Sequence, residues 1–301
     1  MSDKIALDLF EQSKQPLDIS NLPIRTYLDI PYTSDENSPA QRLDIALPLD
    51  KDGLYPVVVF IHGGGWYYGD KRNIHTYAAW NTIPQAGFAL VSINYRLTQK
   101  AAWPAQMLDI KAAIRYIREH APEYALDADK IGVWGNSAGG QLAAMLAATG
   151  GDPDYEDIRM GSSGYSSSVQ AACIWYGIFD FSGISDHWKR ILKPEDIRAQ
   201  EDYDAVAALF SGSVFSRAAV QASAVTHIHA QMPPMLLFHG TADNVVPYLQ
   251  SVEFFEKYIR YNDHSKIHME LFENAPHGGP DFINKRNLDM VTSFFDRWLH
   301  V

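Results

Sequence analysis

The sequence contains a single cysteine, Cys173, so no disulfide bond can form within the chain. Cys173 lies in the apolar run 171–176, where we expect it to be a buried strand residue. The chain has no Cys-x-x-Cys pair, no His-Glu-x-x-His sequence and no glycine fingerprint that opens a helix after a first strand. We therefore expect chemistry that uses no metal and no cofactor.

Basic residues are also scarce, at 25 against 36 acidic ones, and they form no cluster. The formal charge of −11 argues against nucleic acids and anionic membranes as partners, since both bind positively charged surfaces. No apolar run approaches the ~20 residues that cross a membrane. Residues 1–8 include acidic side chains where a secretory signal needs an apolar core, so we expect a cytoplasmic protein that acts on a small neutral molecule. Arg96 and Asp109 could tie loops of the active face together, but the default interpretation of both is a solvated charge.

Strand-like and helix-like segments alternate along the chain without a linker. Two stretches that alternate apolar and polar residues, 24–30 and 42–47, predict an antiparallel pair at a sheet edge. The short apolar runs that follow are typical of strands buried on both faces of a parallel sheet. These runs cover residues 57–61, 88–93, 130–134, 169–176, 235–239 and 266–272. With helical periodicity between them, clearest at 104–120, they predict a mostly parallel, doubly wound α/β sheet of about eight strands with helices on both faces.

The domain organisation follows from this alternation. We expect an N-terminal extension over residues 1–23 and a single catalytic domain over residues 24–301. Residues 180–234 depart from the regular rhythm, with one predicted helix near 202–210. We interpret this excursion as a lid or pocket wall over the active face, and a plain surface insertion is the alternative.

The pentapeptide Gly-Asn-Ser-Ala-Gly at residues 135–139 stands between a predicted strand and an alanine-rich helical run at 141–149. So sharp a turn from strand to helix strains the serine backbone, and glycines two positions to either side avoid a collision. The side chain then stands at a helix start, where backbone N–H groups face developing negative charge. The pattern predicts a nucleophilic Ser137, with an ordinary glycine-rich turn as the alternative.

A second glycine motif, His-Gly-Gly-Gly-Trp at residues 62–66, directly follows another predicted strand. Its glycines leave backbone N–H groups unshielded, and fixed N–H donors stabilise the oxyanion of acyl transfer. A phosphate-binding loop is the alternative, but it needs Lys-Ser or Lys-Thr after its glycines, and aromatic residues follow here. The predicted oxyanion-hole donors are the N–H groups of Gly64, Gly65 and Ala138. The candidate substrate-binding residues are Trp66 and Tyr67.

A serine hydroxyl needs a base, normally an imidazole that a carboxylate holds in the correct tautomer. Asp243 and His277 each follow a predicted strand, so they would reach the same sheet edge as Ser137. The chain order serine, aspartate, histidine is that of α/β-hydrolases. We therefore predict a triad of Ser137, Asp243 and His277, with Asp180 as the alternative carboxylate. His239 ends a strand and is interpreted as a packed neighbour.

Together these motifs resemble those of the α/β-hydrolase superfamily, and within it of esterases similar to hormone-sensitive lipase and to feruloyl and acetyl-xylan esterases. The resemblance runs from about residue 24 to the end of the chain. It is carried by residues 62–66, 69–71, 94–97, 104–106, 135–140, 239–247 and 277–279. The resemblance implies the α/β-hydrolase fold, the same triad and the same oxyanion hole. It also implies a serine carboxylesterase for short, acetyl-like acyl groups on carbohydrates or small alcohols.

Two other functions remain open from the sequence. Related sequences include formamidase-like and peptidase-like hydrolases, so an amidase, formamidase or peptidase-like enzyme with the same triad is one alternative. A noncatalytic binding module that kept the hydrolase fold is another. An intact serine, aspartate, histidine and glycine loop argue against the binding module.

Overall fold

The apolar runs of the sequence form one sheet of eight strands in the computed structural model, which describes residues 17–49, 53–73, 76–191, 201–212 and 216–300. The strands are β1 (Ile24–Pro31), β2 (Arg42–Pro48), β3 (Tyr55–Ile61), β4 (Ala89–Ile93), β5 (Leu126–Asn136), β6 (Ala171–Trp175), β7 (Met235–Gly240) and β8 (Ile267–Phe272). Their order across the sheet is β1-β2-β4-β3-β5-β6-β7-β8. The β1–β2 and β2–β4 pairs are antiparallel and the other pairs are parallel.

Burial differs between the centre and the edges of this sheet. Every residue of β3, β4, β6 and β7 is buried, which explains why these strands are continuous apolar runs in the sequence. Cys173 lies within β6 and is buried, as expected. The edge strands β1 and β8 include exposed residues because each has a neighbour on one side only.

Helices cover both faces of the sheet. In the described ranges the α-helices are α1 (Tyr77–Thr82), α2 (Ala105–Glu119), α3 (Ala138–Ala148), α4 (Ile184–Ile191), α5 (Glu201–Leu209), α6 (Arg217–Gln221), α7 (Leu249–Tyr258) and α8 (Lys285–Leu299). Short 3₁₀ helices span Pro84–Ala86, Ala121–Tyr124, Pro153–Tyr155, Ile158–Met160, Ala224–His227 and His264–Lys266. None of these helices is long and apolar enough to cross a membrane.

Two apolar cores lie on opposite faces of the sheet. Alternate residues of β3 point into different cores: Val57 and Val59 belong to the core that includes residues of α2, α3 and α7, whereas Val58 and Phe60 belong to the core that includes residues of α1 and α8. This arrangement, together with the strand order and the antiparallel entry, is the α/β-hydrolase fold. The predicted fold class is therefore confirmed.

The excursion at residues 180–234 leaves the sheet between β6 and β7 and contains α4, α5 and α6. Its described parts are tied to the rest of the molecule by hydrogen bonds. Trp103 N donates to Leu209 O at 2.9 Å, and Gln141 Nε2 donates to Ala222 O at 2.8 Å. Residues 192–200 and 213–215 of the excursion lie outside the described residues, as do residues 1–16 of the predicted N-terminal extension.

Candidate active site

Ser137 lies at the turn from β5 into α3 with φ of 54° and ψ of −122°. A residue with a side chain rarely adopts such a conformation, so the backbone is strained as the pentapeptide predicts. The Ser137 N–H nevertheless donates to Trp175 O at 2.9 Å. A Cβ on Gly135 would collide with the Gly139 carbonyl, and one on Gly139 would collide with the backbone at the end of β3. Both positions need glycine because backbones approach too closely for a side chain.

Asp243, His277 and Ser137 come together at the carboxyl ends of β7, β8 and β5. His277 Nε2 is 2.9 Å from Ser137 Oγ, and His277 Nδ1 is 2.7 Å from Asp243 Oδ2. Because an ionised carboxylate can only accept hydrogen bonds, Nδ1 carries the imidazole proton. Nε2 is then unprotonated and faces the serine hydroxyl. This arrangement allows proton transfer from Ser137 Oγ to His277 Nε2.

The Asp243 carboxylate is buried and fixed by several donors. Its Oδ1 accepts the N–H groups of Val245 and Val246, each at 2.8 Å. Burial opposes ionisation of this side chain. Electrostatic attraction to the His277 ring and hydrogen bonds from His277 and His239 outweigh burial and hold the pKa of Asp243 well below its usual range. The carboxylate is therefore ionised near neutral pH.

Asp180, the alternative carboxylate, lies elsewhere. Its Oδ1 accepts the Ser182 N–H at 2.8 Å, and its backbone pairs with the Gln250 side chain. Within the described ranges Asp180 makes no hydrogen bond or ion pair with His277. The geometry therefore favours Asp243 as the carboxylate partner.

Within the described residues, no group of three histidine, cysteine, aspartate or glutamate side chains could hold a metal ion.

The glycine loop after β3 lies directly against the serine. Gly63 N donates to Asn136 Oδ1 at 3.1 Å, and a Cβ on Gly63 would be 3.2 Å from Ser137 Cβ. Gly64 and Gly65 have φ angles of 113° and 57°, in the left-handed region that favours glycine. In the part of the chain that the structure describes, the N–H groups predicted to form the oxyanion hole have no acceptor. These are the N–H groups of Gly64, Gly65 and Ala138.

The two predicted substrate-binding residues differ in exposure. Trp66 is 2% exposed, its Nε1 donates to Gln141 Oε1 at 3.1 Å, and its ring lies 5.7 Å from the Phe181 ring. Tyr67, the next residue, is 46% exposed. Trp66 therefore fixes the loop from inside the protein, and Tyr67 presents its ring to solvent. Substrate contact by either residue stays a prediction.

The loop after β4 braces the glycine loop from the other side. Thr98 N donates to Trp66 O at 2.9 Å, and Gln99 Nε2 donates to Tyr67 O at 2.7 Å. This bracing loop is held by Asp109, which accepts from the Arg96 N–H at 2.8 Å and from its guanidinium at 2.7 Å. The Asp109 side chain has no exposed surface, so its interpretation as a solvated charge is wrong.

Three further residues, none of which has a catalytic role predicted from the sequence, contact the triad or the glycine loop. Asn136 accepts from Gly63 N, as described above. The Tyr176 ring meets His277 edge-on at 4.5 Å, and burial raises the pKa of Tyr176 to about 12. His239 approaches Asp243 with 3.2 Å between Nε2 and Oδ2. Position in the sequence offers one signal, since each lies at or next to a strand end.

Comparison with known proteins shows which family this chain resembles. A profile of the BD-FAE family matches residues 43–258. Among relatives, the chain is similar to the probable carboxylic ester hydrolase LipM of Mycobacterium tuberculosis, with 32% identity over 254 residues, which is 82% of this chain and 56% of LipM. The chain spans about half the length of the curated relatives it matches.

Two solved structures share the fold over nearly the whole chain. One is a truncated carbohydrate esterase from gut microbiota, with a TM-score of 0.81 and 27% identity over 95% of this chain and 100% of the other. The second is a thermophilic esterase from Thermogutta terrifontis with bound propionate. It has a TM-score of 0.69 and 26% identity over 91% of this chain and 94% of the other.

Proposed function

The chain belongs to the BD-FAE family, and from this membership and the geometry around Ser137 we propose that it is a serine carboxylesterase. One observation carries the proposal: Ser137 Oγ, His277 and Asp243 are joined by hydrogen bonds of 2.9 and 2.7 Å. Unpaired N–H groups of the glycine loop lie beside the same serine. A nucleophile, a base and an oxyanion hole together are what hydrolysis of an ester through an acyl-enzyme requires.

In the acylation step, Ser137 Oγ attacks the ester carbonyl carbon and His277 Nε2 takes the hydroxyl proton. The carbonyl oxygen becomes an oxyanion and accepts hydrogen bonds from the N–H groups of Gly64, Gly65 and Ala138. Asp243 keeps the imidazole in its tautomer and stabilises the imidazolium that forms. When the tetrahedral intermediate collapses, the C–O bond to the alcohol breaks and His277 gives its proton to the departing oxygen.

Deacylation repeats the sequence with water as the nucleophile. His277 Nε2 removes a proton from water, the hydroxide attacks the acyl carbon, and the same N–H groups hold the second oxyanion. The Ser137 Oγ–acyl bond then breaks, and Ser137 recovers its proton from His277. Every step uses groups of this chain and one water molecule.

Short acyl groups are the proposed substrates, on a carbohydrate or a small alcohol. The position of Ala205 in α5 favours a short acyl group. Its Cβ lies 3.4 Å from the position that a Cβ on Gly65 would occupy. Helix α5 therefore lies over the glycine loop and limits the space beside this loop. The carbohydrate esterase and the propionate-bound esterase among the similar structures support the same substrate class. We also propose that Tyr67, exposed next to the loop, contacts the substrate, and that buried Trp66 shapes the same pocket from behind.

An acyl-length series tests the activity and its limit. We expect kcat/KM to fall from p-nitrophenyl acetate to butyrate and then to octanoate. Acetylated sugars should also be hydrolysed. A matched acetanilide should be hydrolysed more slowly than the acetate ester. A fluorophosphonate should label the wild type and spare Ser137→Ala, which should lose about 1,000-fold or more in kcat/KM. Faster turnover of the amide would identify an amidase or formamidase, and folded protein that resists labelling would identify a binding module.

A further inference from the structure

His239 is a second histidine on the carboxylate of Asp243. It is the penultimate residue of β7, four positions before Asp243, and its side chain has no exposed surface. The Nε2 atom is 3.0 Å from Val246 O and 3.2 Å from Asp243 Oδ2. The Nδ1 atom is 2.7 Å from Ser251 Oγ. Both ring nitrogens therefore have partners inside the protein.

These partners determine where the imidazole proton lies. The Val246 carbonyl and the ionised Asp243 carboxylate can only accept, so Nε2 of His239 carries the hydrogen and shares it between them. In the tautomer with a single ring hydrogen, Nδ1 then accepts from the Ser251 hydroxyl. His239 therefore presents its Nε2–H to Asp243 and the Val246 carbonyl, in contrast to His277, which donates to Asp243 from Nδ1.

The carboxylate of Asp243 has four donors in the described structure. Oδ1 accepts the backbone N–H groups of Val245 and Val246, and Oδ2 accepts His277 at 2.7 Å and His239 at 3.2 Å. A buried anion depends on such donors, because each lone pair without a partner costs desolvation free energy. Removing His239 would leave Oδ2 with His277 as its single donor.

We propose that His239 is a positioning residue of the triad: its Nε2–H holds Asp243 Oδ2 ionised and directed at His277. This inference rests on the proposed esterase function. His239 touches neither the substrate nor the serine, so it acts only through Asp243. Its loss therefore lowers kcat and leaves KM nearly unchanged, since the Asp243–His277 pair stabilises the transition state and does not bind the ester.

A double-mutant cycle tests this dependence. We expect His239→Leu to lower kcat for p-nitrophenyl acetate about tenfold to hundredfold, the range for one hydrogen bond to a charged group. In an Asp243→Asn background the same substitution should lower kcat by less than about twofold, because the carboxylate it serves is already gone. His239→Gln, whose amide can still donate near the position of Nε2, should recover part of the loss.

Tyr258→Phe is the matched control. Tyr258 OH donates to Pro233 O at 2.9 Å, a partly buried bond to a carbonyl beside the other end of β7. This variant should lose stability and keep kcat. Thermal unfolding of every variant separates effects on folding from effects on kcat. If His239→Leu does not fold, His239→Gln takes its place in the double-mutant cycle.

Equal losses from the His239 substitution in both backgrounds would overturn the positioning role and leave a structural one. A wild type without esterase activity, or an Asp243→Asn variant as active as the wild type, would instead contradict the proposed function.

Discussion

Ser137 combines a strained backbone with a hydroxyl that the proposed chemistry needs. Only glycine adopts φ of 54° and ψ of −122° without strain, so the serine side chain costs conformational energy in the folded state. Neighbouring bonds compensate: the Ser137 carbonyl accepts from Gln141 N at 3.0 Å at the start of α3. The residue is thus held in place by its surroundings and is less stable there than a glycine would be.

Comparing Ser137→Gly with Ser137→Ala isolates this strain, because both lack the hydroxyl. We expect the glycine variant to have the larger free energy of unfolding, by about 1 kcal/mol after allowing for the entropy of glycine in the unfolded chain. Urea unfolding measures the difference. Equal stabilities would show that the turn is not strained, and both variants should be inactive.

Asp243 makes stability depend on pH in a defined direction. Its pKa in the folded protein lies below the unfolded value of 3.8, so ionisation favours the folded state above about pH 4. As pH falls below that value the unfolded chain takes up the proton first, and the contribution is lost. Wild type should therefore exceed Asp243→Asn in unfolding free energy at pH 5, and the gap should narrow toward pH 3. Denaturant unfolding at several pH values checks this, and a gap that widens toward acid would contradict it.

At the scale of elements, the sequence indicated the strands well because a buried parallel strand needs an apolar residue at every position. Boundaries were less clear. β5 begins at Leu126, before the apolar run at 130–134, because polar residues can pair at the exposed start of a strand. α3 begins at Ala138, where the sequence predicts helix only from residue 141. Glycines at 139 and 140 have low helix propensity, and the tight turn after Ser137 overrides it.

Gln141 connects three elements that no sequence pattern links. Its Oε1 accepts from Trp66 Nε1 at 3.1 Å and its Nε2 donates to Ala222 O at 2.8 Å, so one buried amide joins α3, the glycine loop and the excursion. Such a contact could not be predicted, because it depends on which side chains meet in three dimensions. For the same reason, the contact between Arg96 and Asp109 could be predicted only as an alternative to two solvated charges.

Gln141→Leu should therefore affect both folding and rate. We expect a loss of about 1–3 kcal/mol in unfolding free energy, because two buried polar groups lose their partner. We also expect about a tenfold loss of kcat, because the loop that carries the oxyanion donors is less firmly held. Thr149→Val is a suitable control, since it removes a buried bond to Met145 O, of 2.7 Å, beyond the far end of α3. A rate loss in the control equal to that of Gln141→Leu would argue against a specific role of the loop.

At the scale of the whole molecule, we expect charge to affect which of the proposed ester substrates reach the site. The formal charge of −11 repels anionic molecules, and salt screens this repulsion. We expect kcat/KM for an anionic ester to rise with ionic strength, and kcat/KM for a neutral ester of the same acyl group to stay nearly constant. Steady-state kinetics at about 0.01 and 0.5 M salt measure the ratio. The same salt response for both esters would show that the charge does not act on substrate arrival.

The layout of the whole chain was open to prediction because chain order and strand ends together place loops on one sheet edge. Ser137, Asp243 and His277 could be paired in advance, since each follows a strand and the ends of parallel strands meet at that edge. The packing of the excursion could not be predicted. Its contacts use backbone carbonyls such as Ala222 O and Leu209 O, and a carbonyl carries no sequence signal.

The position of the excursion between β6 and β7 has a consequence for protein engineering. The serine lies at the end of β5 and its two partners follow β7 and β8. The excursion can therefore be exchanged without altering any residue of the predicted triad. A transplanted segment must, however, bring a backbone acceptor for the Gln141 amide and an aromatic ring against Trp66. Libraries that keep those two contacts and vary the rest of the segment, including Ala205, offer a direct way to change the acyl groups that the proposed esterase accepts.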